Sequence, residues 1–180
     1  MRVIAGNYKG RNIDCPKGNR IRPTSDMVRT AVFNILNTRV DIEEANVLDV
    51  FCGTGAYGIE ALSRGGKFVG FIDNHRESLD TTRHNIGKMH QEKNYKIYGY
   101  DAEKLPKADI QYNVILIDPP YKSGFVPKTL AALKAGDWIA PDALIVAEEG
   151  ELEEIKLPEG FEFKSERRYG NTKVYLIAML

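Results

Sequence analysis

Asp118-Pro119-Pro120-Tyr121 follows directly on the apolar run Val114-Ile115-Leu116-Ile117. Two consecutive prolines remove two backbone donors and fix φ near about −65°. The residue before a proline is also kept out of the helical region. The outcome is a stiff corner rich in acceptors, chiefly the Asp118 carboxylate and the Pro119 carbonyl. A planar exocyclic amine on a nucleobase is matched by such a corner. Accepting its two N–H protons localises a lone pair that is otherwise delocalised into the ring, and aims it at an electrophile. Tyr121 can stack on the face of the base, a contact worth about 1–3 kcal/mol in single-stranded recognition. A plainer reading makes Asp118 a helix cap after a Pro-Pro turn.

The second chemical signal is Gly53-Thr54-Gly55-Ala56-Tyr57-Gly58, a G-x-G-x-x-G pattern after the apolar run Val47-Leu48-Asp49-Val50-Phe51. Alone it is a weak indicator of a nucleotide-type ligand. Glycines there permit a tight turn and close approach of backbone to ligand. Asp73 follows the next apolar run and is placed to accept from both ribose hydroxyls of a nucleoside. Asp101 follows a third run and can accept from an adenine amine. Asp49, four residues before Gly53, decides the sign of the ligand. A carboxylate there repels a pyrophosphate and suits a sulfonium and an α-amino group. The expected cofactor is therefore S-adenosyl-L-methionine, leaving as S-adenosyl-L-homocysteine, rather than a dinucleotide. Asp49 bonded to nearby loop amides is compatible with the same ligand.

These residues need a frame. The spacing of Val28, Val32, Ile35 and Leu36 predicts a helix from about Ser25 to Asn37, with a hydroxyl cap. Strands are expected at 47–51, 68–72, 95–98, 114–117 and 143–147, and helices at 57–63, 75–89 and 126–133. The tail, roughly 162–166 and 173–178, reads as two strands turning at Tyr169-Gly170-Asn171. Two short strands near Arg2–Ala5 and Arg11–Asp14 would form an amino-terminal hairpin. Repeated strand–helix units with continuous apolar strands imply an α/β fold: a mostly parallel, Rossmann-like sheet covered on both faces, with an antiparallel carboxyl-terminal hairpin. Ligands in such sheets bind beyond the carboxyl ends of the strands, where both motifs fall.

The chain has 180 residues, 25 Lys+Arg and 25 Asp+Glu, and 43% hydrophobic residues. That composition excludes disordered, collagen-like and bilayer-spanning classes, and a chain of this size needs no disulfide or structural metal. Cys15 and Cys52 have no partners at metal-ligand spacing, and the amino terminus turns polar after Ile4, so a reduced cytoplasm is expected. The charge is segregated. Residues 1–39 hold eight basic side chains against Asp14 and Asp26, a net of +6, so residues 40–180 carry −6. This suggests a basic docking surface on a neutral or acidic body, with Lys9, Arg11, Arg20, Arg22 and Arg29 as candidate phosphate contacts. Residues 140–166, with nine acids against Lys156 and Lys164, are expected to face away from RNA. The histidines at 75, 84 and 90 read as solvated, Cys52 as a packing residue and Trp138 as core.

Together these residues resemble the class I S-adenosylmethionine-dependent methyltransferases. Val3-Ile4-Ala5-Gly6, Lys9-Gly10-Arg11, Arg22-Pro23-Thr24-Ser25-Asp26, Val28-Arg29 and Phe33-Asn34-Ile35-Leu36 look like the amino-terminal signature of the bacterial 16S ribosomal RNA guanine-N2 methyltransferases. Leu48-Asp49-Val50-Phe51-Cys52-Gly53-Thr54-Gly55, Gly58-Ile59-Glu60-Ala61-Leu62-Ser63-Arg64-Gly65 and Tyr169-Gly170-Asn171-Thr172 extend the match to almost the whole chain. Met27, Thr30 and Tyr57 depart from the usual arginine, glutamate and leucine. The resemblance implies a seven-stranded sheet with a small amino-terminal extension (1–39) before the methyltransferase domain (40–180). It implies cofactor contacts at Asp49, Phe51, Gly53, Gly55, Asp73, Asn74, Asp101 and Ala102. It places the target amine against Asp118, Pro119, Pro120 and Tyr121. The implied substrate is one guanine of 16S rRNA, within an assembling 30S subunit, with no membrane and no obligate protein partner. The residues alone leave three alternatives open: an amine methyltransferase acting on another RNA or on DNA (for example at adenine N6), an NAD-dependent oxidoreductase, and a silent RNA-binding assembly factor.

Overall fold

The central strands carry apolar side chains on both faces, so each face must be covered. A computed structural model describes residues 1–15, 25–90, 93–120 and 124–180. In chain order the elements are α1 (Asp26–Asn37), β1 (Asn46–Val50), α2 (Ala56–Ser63), β2 (Phe68–Ile72), α3 (Arg76–Lys88), β3 (Tyr95–Tyr98), β4 (Tyr112–Ile117), α4 (Phe125–Ala135), β5 (Ile139–Gly150), β6 (Phe161–Tyr169) and β7 (Thr172–Met179). The sheet order is β3-β2-β1-β4-β5-β7-β6. The strands β3, β2, β1, β4 and β5 pair in parallel, and β7 runs antiparallel to both β5 and β6. The expected mostly parallel seven-stranded sheet with an antiparallel hairpin is therefore present.

Alternation along each strand divides the core. Val47, Val69, Val114, Leu116 and Val146 pack with α1, α2 and α3, whereas Leu48, Val50, Ile115, Ile117 and Ile145 pack with α4, Tyr112 and Trp138. Trp138 is core, as expected, and its indole N–H donates to the Pro106 carbonyl at 2.8 Å. Ser25 caps α1 by accepting from the Val28 amide at 3.2 Å, and Asp26 stands in the first turn where the helix dipole favours an acid. Among the described residues no helix is long and apolar enough to cross a membrane.

Two expectations need correction. The strand expected at 143–147 runs from Ile139 to Gly150. Ile139 pairs with Tyr112, which carries the strand across Pro141-Asp142. The register then shifts before Val114, with Asp142 in the left-handed region at φ 59°. The amino-terminal hairpin is reduced to one antiparallel bridge, Arg2 with Asn12. Backbone bonds still cross it, from the Val3 amide to the Arg11 carbonyl at 3.0 Å and from the Ile13 amide to the Met1 carbonyl at 2.9 Å, while the amides between them turn to α2. The Ile4 and Ala5 amides donate to the Glu60 carboxylate at 2.8 and 3.0 Å, and the Asn7 and Tyr8 amides donate to the carbonyl and hydroxyl of Ser63. A Cβ on Gly6 would stand 1.9 Å from the Ser63 carbonyl oxygen, so only glycine permits this approach. Val3 and Ile13 are buried in the same core as α1 and α2.

Candidate functional site

A cavity of about 270 Å³ opens at the carboxyl ends of the strands. Its wall contains Asp49 from β1, Phe51 and Gly53 from the loop that follows, Asp73 and Asn74 after β2, Asp101 after β3, and Asp118, Pro119 and Pro120 after β4. Nine residues singled out in the sequence, from five segments, thus meet in one cavity. Within the corner Pro119 is buried, Asp118 half-buried and Pro120 exposed, and all three line the cavity.

The loop between β1 and α2 is shaped by left-handed backbone. Phe51, Gly53 and Gly55 have φ of 63°, 53° and 78°. At a residue with a side chain such as Phe51 this conformation costs of order 1–3 kcal/mol. Gly58 serves packing: a Cβ there would lie 2.1 Å from the Phe71 ring, so glycine lets α2 press onto β2. Asp73 holds the loop, with Oδ2 accepting from the Gly53 amide at 3.1 Å and Oδ1 from the His75 amide at 2.9 Å.

Asp49 is fully buried, and its Oδ2 accepts from the Gly58 amide at 2.8 Å. The loop-amide role weighed from sequence is therefore real for one oxygen. Burial pushes the Asp49 carboxyl well above the usual carboxylate range. The Gly58 N–H opposes that, and the negative charges of Asp118 and Asp73 add to it. Cys52 is buried against Thr82, and burial with the nearby Asp49 charge pushes its thiol up, which suits a packing residue and not a nucleophile.

Several expected residues lie elsewhere. Gly55 is at the start of α2 against Thr82, and Ala102 is buried in the α4-side core; neither is in the cavity wall. Arg29, expected on RNA, is 0% exposed. Its guanidinium donates to Asp26 at 2.9 Å and to the Arg2 carbonyl, and lies 4.0 Å from Glu60. It anchors the amino-terminal segment and cannot reach a phosphate. Lys9 and Arg11 are exposed, and Arg11 lies over the Tyr8 ring. Tyr121, Arg20 and Arg22 lie outside the described residues. The three histidines are exposed as expected, though His84 contacts Asp14 at 3.0 Å.

The sequence reading gave no site role to Tyr57, Phe125, Thr172 and Glu148, which also line the cavity, as does His75. Glu148 also corrects the view that the acidic stretch 140–166 faces away, because it is buried and lines the cavity. The Tyr57 hydroxyl donates to its Oε1. The signal was available: an acid at the end of an apolar strand, as at Asp73.

The cavity's charge tests the expected cofactor. Asp49, Asp73, Asp101, Asp118 and Glu148 line it, and none of the described lining residues is Lys or Arg. That donor set fits S-adenosylmethionine, whose sulfonium and α-ammonium are cationic and whose ribose and adenine offer N–H and O–H donors. It does not fit a pyrophosphate, which disfavours the dinucleotide alternative.

The family described as Conserved hypothetical protein 95 matches residues 1–178. The chain belongs to this family. Among relatives, the ribosomal RNA small subunit methyltransferase D of Escherichia coli strain K12 is 32% identical over 149 residues, 82% of this chain and 74% of its own. YlbH of Bacillus subtilis strain 168, provisionally named an rRNA methyltransferase, is 34% identical over 163 residues, 88% of this chain and 86% of its own. The solved Escherichia coli structure yhhF, provisionally described as a methyltransferase, has a TM-score of 0.84 and 29% identity, covering 99% of this chain and 97% of that one. The seven-stranded, mostly parallel sheet with its antiparallel carboxyl-terminal pair matches that of methyltransferase structures.

Proposed function

We propose that the protein transfers a methyl group from S-adenosylmethionine to the exocyclic N2 amine of a guanine in small-subunit ribosomal RNA. The observation that carries this reading is the shared cavity: the Asp118-Pro119-Pro120 corner and the acids in β1 and after β2 and β3 face one space. Relatives named for ribosomal RNA methylation support the substrate class.

Asp73, beyond the loop amides it already holds, has carboxylate lone pairs for the ribose hydroxyls. Asp101 accepts from the adenine amine, and Asp49 faces the cationic end of the methionine moiety. Bound there, S-adenosylmethionine supplies an electrophilic methyl group on a sulfonium sulfur. The Asp118 carboxylate and the Pro119 carbonyl accept the two N–H protons of the target amine and aim its lone pair at that carbon. A sulfonium held by Asp49, Asp73 and Asp101 would give up the methyl carbon to that lone pair and keep the electron pair of its broken C–S bond. The amine, made acidic by alkylation, releases its extra proton to Asp118 or to water. Catalysis is then mostly positioning. Lys9, Arg11 and the arginines at 20 and 22 supply phosphate contacts, which predicts a salt-dependent affinity.

The test is product mapping. Labelled S-adenosylmethionine is supplied with unmodified 30S particles, with naked 16S RNA and with DNA, and the labelled base is identified. Label on guanine N2 of the small-subunit RNA is expected. Label on an adenine amine or on DNA alone refutes the assignment.

Asp49 adds a pH signature. With its carboxyl raised in the empty cavity, a cationic ligand favours the ionised form and lowers that value, so binding releases a proton. S-adenosylmethionine affinity therefore rises with pH and weakens by up to about tenfold per unit as pH falls below the free-protein value. Calorimetry in buffers of different ionisation enthalpy reads the released proton. The slope should be smaller for S-adenosylhomocysteine, which lacks the sulfonium charge. A flat profile for both ligands contradicts the role of Asp49.

A further inference from the structure

The acids of the cavity fall into two groups. Asp49 lies in β1 and Asp73 and Asp101 follow β2 and β3, on one side of the point where the strand order reverses. Asp118 and Glu148 stand on the other side, at the ends of β4 and β5. The parallel register pairs Ile117 with Ala147, so Asp118 and Glu148 follow as neighbours on adjacent strands. The first group matches the cofactor's donors. Glu148 is not needed for them, nor for holding the target amine, which Asp118 and the Pro119 carbonyl already do. Yet Glu148 is only 3% exposed and still lines the cavity. Burying a carboxylate is costly unless donors meet it, and the Tyr57 hydroxyl, fixed in α2 beside Phe33, supplies one.

A carboxylate beside the amine-holding corner is a filter for what sits next to the amine on the base. On guanine the ring atom adjoining the 2-amine on its pairing edge is N1, which carries a hydrogen. On adenine and cytosine the ring nitrogen next to the amine carries a lone pair instead. Resting on the proposed amine methylation, we infer that Glu148 is a specificity-determining residue that accepts the N1–H of the target guanine. With Asp118 and the Pro119 carbonyl it presents three acceptors to guanine's three adjacent N–H protons. An adenine or cytosine turned into the same place sets its lone pair against the carboxylate. Tyr57 is a positioning residue, holding the Glu148 carboxylate through its hydroxyl. This separates guanine from the adenine-N6 alternative, which the corner alone does not.

The experiment uses the full-length protein and small-subunit RNA assembled from ligated fragments, with guanine or 2-aminopurine at the mapped position. 2-Aminopurine keeps the 2-amine but has a lone pair at N1. Wild-type protein should prefer guanine by about 10²-fold or more in kcat/KM, the scale on which a site built for a hydrogen bond rejects an analogue lacking it. In Glu148→Gln the amide can turn its N–H toward that lone pair, so the preference should shrink by at least about tenfold. Tyr57→Phe should lower kcat/KM on guanine more than on 2-aminopurine, so the preference should shrink in part. Melting and S-adenosylhomocysteine binding report whether each variant is folded. Equal use of guanine and 2-aminopurine by wild-type protein overturns the role of Glu148 alone, and needs no variant. An unchanged preference in folded Glu148→Gln overturns it as well. Methylation of an adenine or cytosine amine in place of guanine overturns both this role and the functional reading beneath it.

Discussion

Asp118→Ala is expected to lower kcat for methyl transfer by about 10²–10³-fold, the scale of removing one preorganised polar group at a reacting centre. Without the carboxylate, the target amine has one acceptor instead of two, and its lone pair stays partly in the ring. The backbone corner survives, because Pro119 and Pro120 fix it independently of the side chain. Cofactor affinity should change far less than kcat, since the residues assigned to the cofactor lie in β1 and after β1, β2 and β3, and not after β4. Asp118→Asn, which keeps an acceptor oxygen without charge, should fall between wild type and alanine. Single-turnover transfer alongside calorimetric cofactor binding separates the two quantities. Normal transfer by the alanine variant would sink the assignment of the corner.

The second large effect concerns stability. Glu60, fully buried in α2, accepts from the Ile4 and Ala5 amides, takes the Arg64 guanidinium at 2.8 Å and lies 4.0 Å from the buried Arg29. Glu60→Ala leaves a buried guanidinium short of its counter-charge and strands two backbone donors. Removing one partner of a buried ion pair costs about 3–5 kcal/mol. For a chain of this length that corresponds to a fall in Tm of roughly 10 °C. Hydrogen exchange at Ile4 and Ala5 should accelerate more than at the β1 and β4 amides, because the lost contacts are those that fasten the amino-terminal segment. A change in Tm within about 2 °C, with Ile4 and Ala5 still protected, would show that the segment is held by Val3 and Ile13 packing alone.

The parallel sheet was readable because its strands are short, apolar and followed by loop-forming residues. Phe68–Ile72 and Tyr95–Tyr98 match the expected bounds, and α1 begins one residue after its cap. The fifth strand reads too short in sequence, because pairing of Ile139 with Tyr112 carries it across Pro141-Asp142. The amino-terminal pairing is present but short: Val3 and Ile13 amides bond across it, and beyond Val3 the Ile4, Ala5 and Tyr8 amides are taken by Glu60 and Ser63, more than fifty residues away.

The same division runs through the site. Residue type and spacing alone determined the stiff acceptor corner, the glycine loop and the acids at the first three strands, because each depends on local backbone chemistry and on the end of an adjacent strand. Only the tertiary structure decided the charge of the whole cavity, the burial of Arg29 and the place of Glu148. An arginine in a basic stretch looks the same in sequence whether it faces solvent or a buried carboxylate. A glutamate in an acidic stretch looks the same whether it is solvated or set beside Asp118. What distinguishes them is which distant element packs against them, and that is settled by the crossover of β1 and β4 and the packing of α2, not by any neighbour along the chain.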